Sequence, residues 1–128
     1  MVLPDRNRIL LVEDVDDARA LCAVILAEYT IILASDFDEG VRLAQQQDFD
    51  LYILDNWLPD RSGVELCCAI REFDPDTPVL FYSAAAHKRD IEEAIRAGAQ
   101  DYLVKPVSLD EVRQAVARLI SAAREMAS

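Results

Sequence analysis

The chain has 128 residues, with 24 acidic and 13 basic side chains and a formal net charge of −11. That length suits one domain, and 52% hydrophobic with 29% charged residues is enough for one ordinary core, which excludes a disordered chain. The acidic balance argues against binding nucleic acid or an anionic membrane, since both need clustered Lys and Arg, and the longest apolar run, residues 20–27, is far short of the roughly 20 residues of a membrane span.

Residues 1–6 have no charged-then-apolar signal pattern, so a cytoplasmic domain is expected. The first predicted strand is Ile9-Leu10-Leu11-Val12. Asp16 and Asp17 then serve as N-cap and first-turn residues of a helix whose inner face is Ala18, Leu21, Cys22, Ile25 and Leu26. A second strand, Thr30-Ile31-Ile32-Leu33-Ala34, leads to a helix over 38–47. A third, Leu51-Tyr52-Ile53-Leu54, leads to a helix over 63–73, whose exit Pro75 and Pro78 punctuate. The fourth strand is Val79-Leu80-Phe81-Tyr82, followed by a helix over 89–97 that stops at Gly98. The fifth is Tyr102-Leu103-Val104. Ser108-Leu109-Asp110-Glu111 is a capping box for a last helix carrying Val112, Ala115, Val116, Leu119 and Ile120 on one face and running to about residue 123. The strands lack period-two alternation, as expected when both faces are buried in a parallel sheet.

The chain holds three cysteines; Cys67 and Cys68 are neighbours, a poor disulfide geometry, and Cys22 and Cys67 lie on apolar helix faces as core thiols. His87 is the only histidine, which rules out a multi-histidine metal site, and no Gly-x-Ser-x-Gly nucleophile turn occurs. One domain over residues 1–128 is expected, with no output domain.

Strict β–α alternation implies right-handed crossovers and a doubly wound parallel sheet of the α/β class. Ligands of such sheets lie beyond the carboxyl ends of the strands. The first strand runs into Glu13 and Asp14, the third into Asp55, the fourth into Ser83 and the fifth into Lys105-Pro106. Carboxylates a few ångströms apart repel by roughly 1–4 kcal/mol per pair. A hard dication, Mg²⁺ or Mn²⁺, relieves that cost with few protein oxygens. Lys105 offsets charge too, and its compact ammonium suits a phosphate oxygen.

This constellation resembles the receiver domain of bacterial two-component response regulators. The resemblance is carried by Ile9-Leu10-Leu11-Val12-Glu13-Asp14, by Asp50-Leu51-Tyr52-Ile53-Leu54-Asp55 with Leu58-Pro59 and Gly63, by Val79-Leu80-Phe81-Tyr82-Ser83-Ala84, and by Gly98-Ala99-Gln100-Asp101-Tyr102-Leu103-Val104-Lys105-Pro106. It implies a flavodoxin-like (βα)5 fold with strand order 2-1-3-4-5. It further implies that Asp55 accepts a phosphoryl group from a histidine kinase or a histidine phosphotransfer protein. Glu13, Asp14 and Asp55, with the main-chain carbonyl of Trp57, would hold Mg²⁺. Lys105 and Ser83 would bind phosphoryl oxygens, Tyr102 would change rotamer on activation, and the peptide before Pro106 would be cis. The chain would then be no enzyme but a timed switch that assists its own phosphorylation and dephosphorylation. Its output would be a protein contact on the face of the fourth helix, fifth strand and fifth helix, where Arg89, Glu92, Glu93, Arg96, Arg113 and Arg118 fall, although charged helix faces are usually just solvated.

Each residue also has an ordinary reading. Asp55 could cap a turn, Lys105 could be a snorkelling surface lysine, Ser83 could bond local backbone, and Tyr102 and Trp57 could be plain packing. Two departures stand out: Ser83 replaces the commoner threonine, and the bulky Trp57 stands where relatives often carry a smaller or polar group. An aspartyl phosphohydrolase would need a second Asp where Trp57 is. A flavodoxin-like carrier would need a phosphate loop where Glu13 and Asp14 are. A constitutive binding module would have no use for Asp14, Asp55, Ser83 and Lys105, and the chain could equally be part of a larger regulator or hybrid kinase.

Overall fold

Five apolar runs form strands β1 (Arg8–Val12), β2 (Thr30–Ala34), β3 (Leu51–Leu54), β4 (Val79–Ser83) and β5 (Asp101–Val104). They alternate with helices α1 (Asp16–Ile25), α2 (Phe37–Gln46), α3 (Gly63–Arg71), α4 (Lys88–Ala97) and α5 (Leu109–Ala127). The computed structural model describes residues 7–127, so the reading of residues 1–6 falls outside the described residues. All strand pairs are parallel, in the order β2-β1-β3-β4-β5.

Alternate residues of each strand point to opposite faces of the sheet, which builds two cores from one set of apolar runs. Leu10, Val12, Tyr52, Leu54, Val79 and Phe81 pack with Phe37, Ala44, Leu66, Cys67, Ile70 and Ala94 of α2, α3 and α4. Ile9, Leu11, Leu51, Ile53 and Leu80 pack with Cys22 and Leu26 near α1 and with Val112, Ala115, Val116, Leu119 and Ile120 of α5. Cys22 and Cys67 are buried and unpaired, and burial pushes both thiols up, Cys67 to about 11. Cys68 is exposed.

Local chemistry sets most boundaries. Asp36 caps α2, Ser62 caps α3, and Ser108 Oγ accepts from the Glu111 N–H at 3.1 Å at the start of α5. Gly98 ends α4 at φ 115°, a backbone region that side chains disfavour. Four expectations need correction. Val15, not Asp16, is the cap residue of α1, and Asp16 and Asp17 both lie in its first turn. Leu21 is 48% exposed rather than in the core, because α1 is apolar on more than one face and periodicity alone cannot select the buried one. The third helix stops at Arg71, and the Phe73 and Asp74 N–H groups both return to the Ile70 carbonyl in a tightened last turn. The last helix continues to Ala127, since Ala122, Ala123, Arg124, Glu125, Met126 and Ala127 are strong helix formers with no Gly or Pro to stop them. No helix among the described residues is long and apolar enough to cross a membrane.

Candidate functional site

Register places the polar residues. Val12 pairs with Leu54, Leu54 with Phe81, and Ser83 with Val104, so the residues following β1, β3 and β5, together with the last residue of β4, share one edge. The Asp55 N–H donates to the Val12 carbonyl at 3.0 Å, which sets Asp55 beside Glu13. The β1/β3 neighbourhood, where strand order reverses, is the switch point of the sheet.

Glu13, Asp14 and Asp55 converge there, each offering a carboxylate oxygen within 4.8 Å of the others. Glu13 and Asp55 are buried and Asp14 is exposed. Lys105 Nζ donates to Glu13 Oε1 at 2.5 Å and stands 3.9 Å from Asp55 Oδ2. The Lys105–Pro106 peptide is cis. Ser83 Oγ donates to Asp55 Oδ1 at 2.7 Å and accepts from the Ala85 N–H at 3.2 Å. The Trp57 N–H donates to the same Oδ1 at 3.1 Å, while the indole lies outside, 61% exposed. Tyr102 stands at the edge of this cluster, its hydroxyl close to Ser83 and Asn56. Its ring stacks on Phe81 with centroids 5.4 Å apart, and its hydroxyl donates to the Ala85 carbonyl at 2.6 Å.

Burial drives the Glu13 carboxyl up to about 7, and the neighbouring Asp55 adds to that while Lys105 opposes it. Burial works against the Lys105 ammonium, but Glu13 and Asp55 outweigh it and hold the lysine above its ordinary value. Glu13 Oε2 is buried with no hydrogen-bond partner among the described residues. A buried acceptor without a donor is costly. An all-oxygen set of three carboxylates fits a hard dication such as Mg²⁺, and Oε2 is an acceptor such an ion would satisfy.

Four supporting residues lie outside the set expected from the sequence. Arg19 Nη1 donates to the Glu13 carbonyl at 2.9 Å while Nη2 pairs with Asp16, tying α1 to the end of β1. The Tyr82 ring lies under the Lys105 ammonium, 4.8 Å from centroid to nitrogen. Asn56 holds the start of α3: its carbonyl accepts from the Gly63 N–H at 2.9 Å and its Oδ1 from the Val64 N–H at 3.2 Å. The fourth is Asp60, in the loop between β3 and α3. Only Arg19 had a local signal, its i,i+3 spacing from Asp16 on one helix.

The six charged residues named on α4 and α5 engage in pairs within the chain. Arg89 pairs with Glu93 at 2.9 Å, Arg96 with Glu92 at 3.9 Å, Arg113 with Asp110 at 3.8 Å, and Arg118 with Asp101 of β5 at 2.5 Å.

Comparison with known proteins places this edge in context. A family model described as the response regulator receiver domain matches residues 9–117. The chain is 35% identical over 124 residues to the transcriptional regulatory protein PcoR of Escherichia coli, covering 95% of this chain and 55% of PcoR. It is 34% identical over 114 residues to the sensor histidine kinase AruS of Pseudomonas aeruginosa, covering 84% of this chain and 11% of AruS. The chain thus spans about half or less of the length of these curated relatives. Among solved structures, the receiver domain of a sensor histidine kinase from Pseudomonas aeruginosa PAO1, with a magnesium ion coordinated in its active-site cleft, superposes with a TM-score of 0.83 at 30% identity. That match covers 92% of this chain and 99% of the other. From strand order, the acidic edge and these matches together, the chain belongs to the response regulator receiver domain family of two-component signalling.

Proposed function

We propose that Asp55 is the phosphoacceptor of this receiver and that Glu13, Asp14, Asp55 and the Trp57 carbonyl hold Mg²⁺ for the transfer. The observation that carries this reading is the convergence of the three carboxylates with Lys105 and Ser83 at one switch point. A carboxylate oxygen of Asp55 attacks the phosphorus of a phosphohistidine on a kinase or phosphotransfer protein. The P–N bond breaks as the P–O bond forms, and the imidazole leaves. Bound Mg²⁺ supplies charge neutralisation on the transferring phosphoryl oxygens. Lys105 leaves Glu13 for a phosphoryl oxygen, and the Ser83 hydroxyl turns from Asp55 Oδ1 to another.

That turn couples the site to the surface. Ser83 Oγ also accepts from the Ala85 N–H, and the Ala85 carbonyl accepts from Tyr102. A shift of Ser83 therefore pulls on the loop between β4 and α4 and on the β5 aromatic together. The expected output is an altered α4–β5–α5 face that binds an effector protein. The similarity to both PcoR and AruS favours placing this domain within either a larger regulator or a hybrid kinase. An aspartyl phosphohydrolase is disfavoured because Trp57 occupies the position of its second acid.

The test is intact-mass measurement after exposure to acetyl phosphate and Mg²⁺. One phosphoryl-sized gain is expected in the parent, none in Asp55→Asn and none with a chelator. Gain that persists in Asp55→Asn moves the acceptor elsewhere, and turnover of a chromogenic phosphate ester revives the hydrolase reading.

A further inference from the structure

We propose that Asp60 is a positioning residue: by capping α2 from outside, its carboxylate fixes the loop between β3 and α3 and so the Trp57 carbonyl assigned above to the metal. The inference rests on the Mg²⁺ reading above. It begins with the accounting at the start of α2, where the first four N–H groups of any helix lack intrahelical partners. The Asp36 carboxylate accepts from the Glu39 N–H at 2.8 Å, and the Asp36 carbonyl accepts from Gly40 at 3.0 Å. That leaves Phe37 and Asp38. Their N–H groups donate to Asp60 Oδ1 at 3.0 Å and Oδ2 at 3.4 Å. A carboxylate 22 residues further along the chain thus takes the place a bound anion would take at a helix start.

The contact is a two-part clamp. Beside Asp60, the Arg61 guanidinium lies 3.9 Å from the Phe37 ring centroid and pairs with Glu65 on α3 at 2.6 Å. Phe37 is itself buried in the core under the sheet, so α2 is a fixed post. At the other end of the loop, Trp57 and Ser62 face each other in an antiparallel bridge, and the Trp57 N–H rests on Asp55 Oδ1. The 57–62 loop is therefore held at its base by the acceptor and at its tip by α2. These donors, the Phe37 N–H first, also keep the Asp60 carboxyl below the usual carboxylate range.

With the tip freed, ordering of the loop falls to metal binding itself, which lowers affinity. Mg²⁺ affinity in Asp60→Ala should fall about tenfold, the low end of what losing an outer partner of a metal ligand costs. Trp57 is the only tryptophan, so its fluorescence follows MgCl₂ titration of the intact chain without a phosphodonor. Amide hydrogen exchange supplies a metal-free readout: Phe37, Asp38 and Trp57 should exchange faster in Asp60→Ala. Asp60→Asn, which keeps one acceptor, should recover part of the affinity. Asp36→Ala weakens the same helix end but touches no part of the loop; it should lower the melting temperature and leave Mg²⁺ affinity within twofold. Parent-like Mg²⁺ affinity in Asp60→Ala, or an equal loss in Asp36→Ala, overturns the positioning role while the metal site stands. A parent that binds no Mg²⁺ removes the metal reading and this inference together.

Discussion

Gly63, the first residue of α3, sits against the backbone that carries Asp55. A Cβ built there lies 2.3 Å from the Asp55 carbonyl oxygen and 2.9 Å from both the Asp55 carbonyl carbon and Asn56 Cα. Against the roughly 3.5 Å of an unstrained contact, the shortfall at the oxygen is about 1.2 Å. All three atoms are main chain, so no side chain can rotate away. Its φ is not in the left-handed region, which belongs to Gly98 alone among the described glycines, so the penalty at Gly63 is steric only. Gly63→Ala must therefore push α3 off the sheet or drag Asp55 and Asn56 out of place. Overpacking of this kind costs about 1–3 kcal/mol. Weakening the Gly63–Asn56 bond at 2.9 Å and the Val64–Asn56 bond at 3.2 Å adds to it. The sum, about 2–4 kcal/mol, corresponds to roughly a 10 °C fall in melting temperature for a domain of this size.

The site suffers separately, because a 1 Å misplacement of a reacting group costs on the order of a hundredfold in rate. Thermal unfolding and the intact-mass time course with acetyl phosphate measure the two effects. Gly40→Ala is the matched comparison. Its Cβ meets only the Leu66 and Val12 side chains, at 3.2 Å, and alanine's better helix propensity, worth about 1 kcal/mol, offsets the squeeze. Melting within 2 °C of the parent in Gly63→Ala, or an unchanged phosphorylation rate, would refute the close-approach reasoning.

Three further outcomes are expected. Trp57→Asn should shorten the lifetime of the phosphorylated form if the exposed indole two residues beyond Asp55 shields it from attacking water; equal decay rates in parent and variant would rule out shielding. The Glu13 carboxyl, raised from 4.5 to about 7 by burial first and Asp55 second, is protonated in the folded metal-free chain where the unfolded chain has lost its proton. Its contribution to metal-free stability is thus greatest below about pH 4.5 and is lost as pH rises to about 7, while Mg²⁺ affinity, which needs the carboxylate, climbs over the same interval and levels off above it. Unfolding and Mg²⁺ titrations from pH 5 to 8 test both slopes, and both should flatten in Glu13→Gln. Tyr52→Phe removes the hydroxyl that donates to Asp74 Oδ2 at 2.8 Å and should cost about 1–3 kcal/mol in urea unfolding. Phosphoryl uptake should stay unchanged, since Asp74 lies in the turn after α3 that leads into β4, at the opposite edge of the sheet.

What could be read in one dimension followed from burial. Strands covered on both faces are unbroken apolar runs, so β2 and β3 match their predicted limits and β1, β4 and β5 differ by one residue. The buried face of α5 was fully legible because its outer face is charged. The face of α1 was not, because Leu21 and Val24 are apolar yet exposed. Residues at strand ends were legible because a parallel sheet gathers them at one edge whatever lies between. Contacts made by loops were not. Nothing in Pro59-Asp60-Arg61 marks its carboxylate for a helix 22 residues earlier, and nothing in β4 shows that the ring of Tyr82 lies beneath the ammonium of Lys105.

The charge balance at the edge explains why metal, lysine and phosphoryl group have to be considered together. Three carboxylates against one ammonium leave two negative charges in excess, at a place where Glu13 and Asp55 are buried. Without a dication, a proton on Glu13 absorbs part of that excess, as the raised carboxyl reflects. On the proposed reading, the three carboxylates would hold a dication that cancels this excess in place of the proton. Phosphorylation at the proposed acceptor, Asp55, would then exchange its single charge for about two. The edge would be left with one excess negative charge even with the metal bound, so neutral donors would have to make up the difference. Ser83 is the buried hydroxyl already aimed at Asp55, and it is bonded through Ala85 to the loop between β4 and α4. On the proposed reading, the imbalance that would tie phosphorylation to the metal would also draw Ser83, and with it the β4–α4 loop, toward the phosphoryl group.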